Sequence, residues 1–170
     1  LVQQAKTLVE ILSYAIGTLS FHPSDSCLRS LGSLITSLDR AISDGIADAE
    51  AVQKCDSAIR SLQADVKREW SVHYAKLTSD TVGTLRILKG INAENIESYL
   101  AEIRNGETWP TEVTPFKNLH VALEQGQKLI GQMDLDPTTS SFLVKMASGS
   151  ASLADVSDDI FAWIRKEHLD

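Results

Sequence analysis

The sequence predicts an all-α fold: a multi-helix bundle of six or seven helices with short loops, one of them long and covering about residues 48–89. Three observations carry this reading. An apolar rhythm with steps of three and four runs through most of the chain, most continuously at Ile59, Leu62, Val66, Trp70, His73, Leu77, Thr81, Leu85 and Leu88. No segment sustains the apolar–polar alternation of a half-buried strand. The joints carry helix stop and start signals, among them Asp44-Gly45, Gly90, Thr114-Pro115 and Asp136-Pro137.

The first helix is expected from the start to about Leu19. Leu1, Ala5, Leu8, Leu12, Ala15 and Leu19 form one stripe, and Val2, Val9 and Ile16 lie beside it at seven-residue spacing. The combined face is wider than a coiled-coil seam, so packing against at least two neighbours is expected. Pro23 interrupts the pattern, with Ser24 and Ser26 as possible caps. The second helix reads through Leu28, Leu31, Leu34, Ile35, Leu38 and Ile42, and Gly45 suits the left-handed turn after its end.

If unbroken, the third helix has about 42 residues and spans about 63 Å. Its weak point is Thr78–Thr84, where β-branched residues and Gly83 accumulate. From Val66 onward the spacing matches an eleven-residue repeat better than a heptad, so a straight helix is expected rather than a leucine-zipper coiled coil. Asn92 then caps a short fourth helix to about Arg104, with Ile91 and Ile96 as a hydrophobic staple. Thr114-Pro115 opens a helix facing inward through Phe116, Leu119, Leu123, Gly126, Ile130 and Met133. Asp136-Pro137 opens the next, and the SGSAS tract is a linker or tight turn. Ser157 caps the last helix, with Val156 and Phe161 as its staple. Around Trp109 to Val113 a small β-hairpin is the alternative to a loop.

Composition narrows the class. With 43% apolar and 23% charged residues in 170, the chain is long enough to bury a core without metal or disulfides. Residues 1–91 carry ten basic and ten acidic side chains, whereas 92–170 carry six and thirteen, which accounts for the net charge of −7. The expected division is therefore a three-helix antiparallel unit, 1–91, and an acidic helical layer, 92–170, packed on or following it, with a single domain 1–170 as the alternative. Neither half has the basic stripe of a nucleic-acid binder, so direct nucleic-acid binding is not expected. No stretch reaches the roughly 20 apolar residues of a membrane span. The two cysteines, Cys27 and Cys55, fall about 12 Å apart in the expected hairpin, beyond disulfide reach, which points to a reducing, cytoplasmic setting. The apolar rhythm is already running at Leu1, so a segment of a larger protein is expected.

Chemistry-bearing motifs are sparse. His22, His73, His120 and His168 sit on separate elements with no metal-binding spacing, so neither metal nor cofactor is expected. Glu94 and Glu97, like Asp155, Asp158 and Asp159, are explained by helix N-termini. No phosphate-binding glycine loop or nucleophile elbow is present. The candidate residues are instead partner-binding ones: Trp70, His73 and Leu77 on the long helix, the loop residue Trp109, and Trp163 on the last helix. The expected role is a non-catalytic interaction or scaffolding module that engages a protein partner, or a second copy, through apolar helix faces. The alternative is a helical accessory or regulatory domain of an ATPase or a nucleic-acid-processing enzyme.

Overall fold

The computed structural model describes residues 2–43, 49–89, 93–132 and 136–166. Among these the fold is an all-α bundle of seven helices with no strand: α1 (Val2–Thr18), α2 (Asp25–Ser43), α3 (Ala49–Leu88), α4 (Ala93–Asn105), α5 (Thr114–Gln132), α6 (Pro137–Ala147) and α7 (Asp158–Lys166). The signals at Asp44-Gly45 and Gly90–Asn92, together with Met133, Asp134 and His168, lie outside the described residues, as does the Glu94 side chain.

α3 is continuous through Thr78–Thr84. Thr78, Thr81 and Thr84 are all buried at helical spacing, and interior packing on that scale outweighs propensity losses of a few tenths of a kcal/mol per β-branched residue. At its other start signals the chain follows local chemistry. The Asp136 carboxylate accepts from the Thr138 and Thr139 N–H groups, with Pro137 in the first turn of α6. α5 begins one residue early, because the Val113 carbonyl, not that of Thr114, accepts from Phe116 and Lys117. Ser157 caps α7 through its Oγ, 3.4 Å from the Ile160 N–H. The SGSAS tract is a Schellman turn: Gly149, at φ +70°, donates to Met146 and Ser150 donates to Lys145. A single 3-10 turn, Leu153–Asp155, follows.

The chain divides into two compact units, Leu1–Tyr74 with Glu107–Lys117, and Ala75–Gly106 with Asn118–Asp170. In the first, α2 runs antiparallel to α3, since Ser24 donates to Glu69 and Ser30 to Asp65. α1 runs alongside the same stretch of α3 in the opposite sense to α2: the Leu19 carbonyl accepts from His73, while Gln4 and Thr7 face Gln63 and Lys67 across a cleft. Leu8, Ile11, Leu12, Ala15, Leu34, Leu62, Val66 and Trp70 fill the space between the three helices.

In the second unit the C-terminal part of α3 packs on α5. Gly126 permits this approach, because a Cβ there would lie 3.0 Å from Leu85 Cδ1 and 3.2 Å from Thr81 Cγ2. Ile96 and Ile103 of α4, and Leu119 and Leu123 of α5, are buried in the same unit. α6 packs on α7, and Lys145 pairs with Asp155 of the 3-10 turn.

Candidate functional site

Two features of the first unit are candidates: an aromatic cluster and an uncovered apolar face. The cluster forms where α1 ends. Ser20 adopts a left-handed conformation, φ +53°, and the Phe21 N–H closes back on the Ala15 carbonyl at 3.0 Å, which turns the Phe21 ring inward. There it meets Trp70 edge-on at 5.7 Å and His73 at 5.4 Å. The Glu107–Lys117 segment adds Trp109, 6.0 Å from Trp70, and Phe116, 4.3 Å from Trp70.

Within this cluster His73 is half-buried and its Nε2 lies 2.8 Å from the Leu19 carbonyl, so Nε2 carries the proton and donates. The imidazole thereby ties the end of α1 to α3. Trp109 is only 8% exposed, and among the described residues its Nε1 has no hydrogen-bond partner. It lines a cleft of about 350 Å³ with Gln3, Gln4, Gln63 and Lys67, and among the described residues lining it Lys67 carries the one charge.

Trp70, His73 and Trp109 therefore come together, with Trp70 wholly buried. Leu77 and Trp163 belong to the second unit and are half-buried there. Phe21 and Phe116 complete the cluster, and spacing alone does not single them out, because each lies at an element end.

The second feature is the outer flank of α1 and α2. On α1, Val2 (66% exposed), Val9 and Ile16 face solvent; on α2, so do Leu28, Ile35 and Ile42 (68%). Leu34, next to Ile35, is completely buried. At about 100° per residue each exposed stripe lies roughly 80–90° round its helix from the buried one, on the side away from the contacts to α3.

The titratable groups are mostly engaged in ordinary ways. Burial, reinforced by Glu69 and Asp65, pushes the Cys27 thiol up to about 11, and both cysteines are free and buried. The Lys89 ammonium holds the Glu97 carboxyl below its usual range. Bonds from Lys145 and from Ser152 hold Asp155 at about 2. His22 is exposed, and His120 lies 3.6 Å from Glu124.

Among the described residues no three His, Cys, Asp or Glu side chains are grouped to hold a metal ion. Among the same residues no helix is long and apolar enough to cross a membrane. Comparison with protein-family models, with curated proteins and with solved structures gave no match.

Proposed function

We propose that the chain is a non-catalytic helical interaction module, which binds through an apolar helix face its own fold leaves open. One observation carries this reading: the six exposed aliphatic side chains of α1 and α2 recur at seven-residue intervals on a single side of the first unit. Isolated exposed aliphatics are ordinary, but two ordered stripes bordering the same seam form a patch of the kind that marks interaction sites. The aromatic cluster has a supporting role. Its rings and the His73–Leu19 bond tie the α1–α2 hairpin to α3.

The test places a photo-crosslinking residue at position 35 of the intact protein in its own cell, with position 33 as control. Ser33 is exposed on the opposite side of α2. A discrete adduct from position 35 and none from position 33 is expected. Equal labelling from both positions, or no discrete adduct from either, would contradict the reading.

A further inference from the structure

We infer that the cleft beside Trp109 is a binding site for a carboxylate, taken up between the Trp109 indole N–H and the Lys67 ammonium. The cleft lies wholly within the first unit and shares no residue with the open α1–α2 face, so the inference stands apart from the interaction-module reading.

The indole N–H is the first indication. Trp109 is buried, and among the described residues its Nε1 finds no acceptor. Folding gives no reason to keep such a donor, because it costs free energy for as long as it stays unpaired. The ring itself is well used, with the Phe116, Trp70 and Phe21 centroids 5.4, 6.0 and 6.1 Å away. A phenylalanine would keep ring packing of that kind without the donor. What tryptophan adds is an N–H on a side chain that also lines the cleft. Nε1 is closed off from solvent, so uptake includes a small rotation of the indole toward the cleft.

The lining decides the class of ligand. Its two polar groups of fixed character, the Trp109 N–H and the Lys67 ammonium, only donate. Lys67 is exposed and in no ion pair among the described residues. Gln3, Gln4 and Gln63 bring amides that donate or accept as required. Among the described residues no carboxylate lines the cleft, and the acidic residues nearest in sequence, Glu10, Glu107 and Glu112, are exposed outside it. Donors with one positive charge match an acceptor-only group with one negative charge, which is a carboxylate. A phosphate monoester, at about −1.5 to −2, would exceed the single Lys67 charge.

Size and polarity limit what carries that carboxylate. Leu8 and Ile11 give the cleft buried aliphatic surface, which suits an apolar side chain. A volume of about 350 Å³ is small for a ligand pocket and fits an acylated amino acid, or the end of a peptide whose remainder stays outside.

The test follows the indole N–H resonances of the full chain by nitrogen–proton correlation NMR while N-acetyl-leucine is added at constant ionic strength. The chain has three tryptophans, and Trp109→Phe identifies the Trp109 signal. That signal is expected to move saturably, with a Kd of roughly 1–10 mM for so small a probe. The uncharged N-acetyl-leucinamide is expected to leave it in place. Lys67→Gln is expected to weaken binding about tenfold while the spectrum without probe stays the same, which a merely structural role would not produce. Acetyl-Ala-Ala-Leu then separates the two sources of the carboxylate. Tighter binding than N-acetyl-leucine supports the site and assigns it to a peptide C-terminus; equal or weaker binding supports the site and assigns it to a free acid. No saturable shift up to about 50 mM overturns the inference. So does an equal response to the amide, or binding that Lys67→Gln leaves unchanged.

Discussion

Replacing Trp109 by Phe should leave the protein as stable as before or more so, although Trp109 is buried in the aromatic cluster. Among the described residues its indole Nε1 has no partner, and an unpartnered buried donor costs about 1–3 kcal/mol. Phenylalanine removes that donor and keeps a ring near Phe116 and Trp70, which lie 5.4 and 6.0 Å from the indole. The smaller ring leaves about 40 Å³ empty, which at about 24 cal/mol per Å³ costs about 1 kcal/mol. The balance runs from no change to a gain of about 2 kcal/mol. A tryptophan with a satisfied N–H would lose both the volume and the bond, about 2 kcal/mol in total. The sign therefore discriminates. Urea unfolding followed by far-ultraviolet circular dichroism, which does not depend on the altered tryptophan, reads the difference. A loss above about 1.5 kcal/mol with unchanged m-value would show that the indole N–H is hydrogen-bonded in the folded protein.

Other consequences follow from single contacts. With its thiol pushed up to about 11, Cys27 should react with alkylating reagents only through opening of the fold, so in a Cys55→Ser background labelling should track the unfolding equilibrium; rapid labelling of the native protein contradicts this. Because the folded Cys27 thiol holds its proton more tightly than the unfolded one, its contribution is complete below about pH 9 and is lost as pH rises toward about 11. Asp155 has the opposite sign: its folded value is depressed from 3.8 to about 2, so its contribution is present above the unfolded value and disappears as pH falls through about 2. A carboxyl resonance titrating near 4 in the folded protein would remove the Lys145–Ser152 clasp from the account. Gly126→Val should cost about 3 kcal/mol by driving methyl groups into Leu85 and Thr81, whereas Gly32→Ala, with open space around it, should stabilise the monomer by up to about 1 kcal/mol. Thermal unfolding of the two variants compares them, and equal effects would contradict the packing described for Gly126.

The helices were legible because apolar spacing and capping chemistry act locally. Asp136-Pro137 and Ser157 start helices for reasons contained in a few residues, and the structure shows those hydrogen bonds. The long helix α3 was legible in the apolar rhythm from Ile59 to Leu88, and only a break at Thr78–Thr84 was left open. Propensity at Thr78–Thr84 argues for a break, and only the burial of Thr78, Thr81 and Thr84, supplied by distant parts of the chain, decides against one. The aromatic cluster was half visible. Trp70, His73 and Trp109 stood out by type and place, but their meeting depends on the left-handed Ser20 turn that brings in Phe21, and no motif announces it. The open face was hidden for a different reason. A seven-residue stripe reads the same whether or not another helix covers it, so Val9 and Ile35 could not be told from interior residues by spacing alone.

Leu34 and Ile35 are neighbours on one helix, yet Leu34 is completely buried and Ile35 is 51% exposed. The most direct test of an apolar face not required for folding is the unfolding free energy of Leu34→Ala beside that of Ile35→Ala, measured in dilute solution. The expected loss is about 2–5 kcal/mol for Leu34→Ala and less than about 1 kcal/mol for Ile35→Ala. Comparable losses at the two positions would show that the folded chain itself covers this face, and would contradict the account.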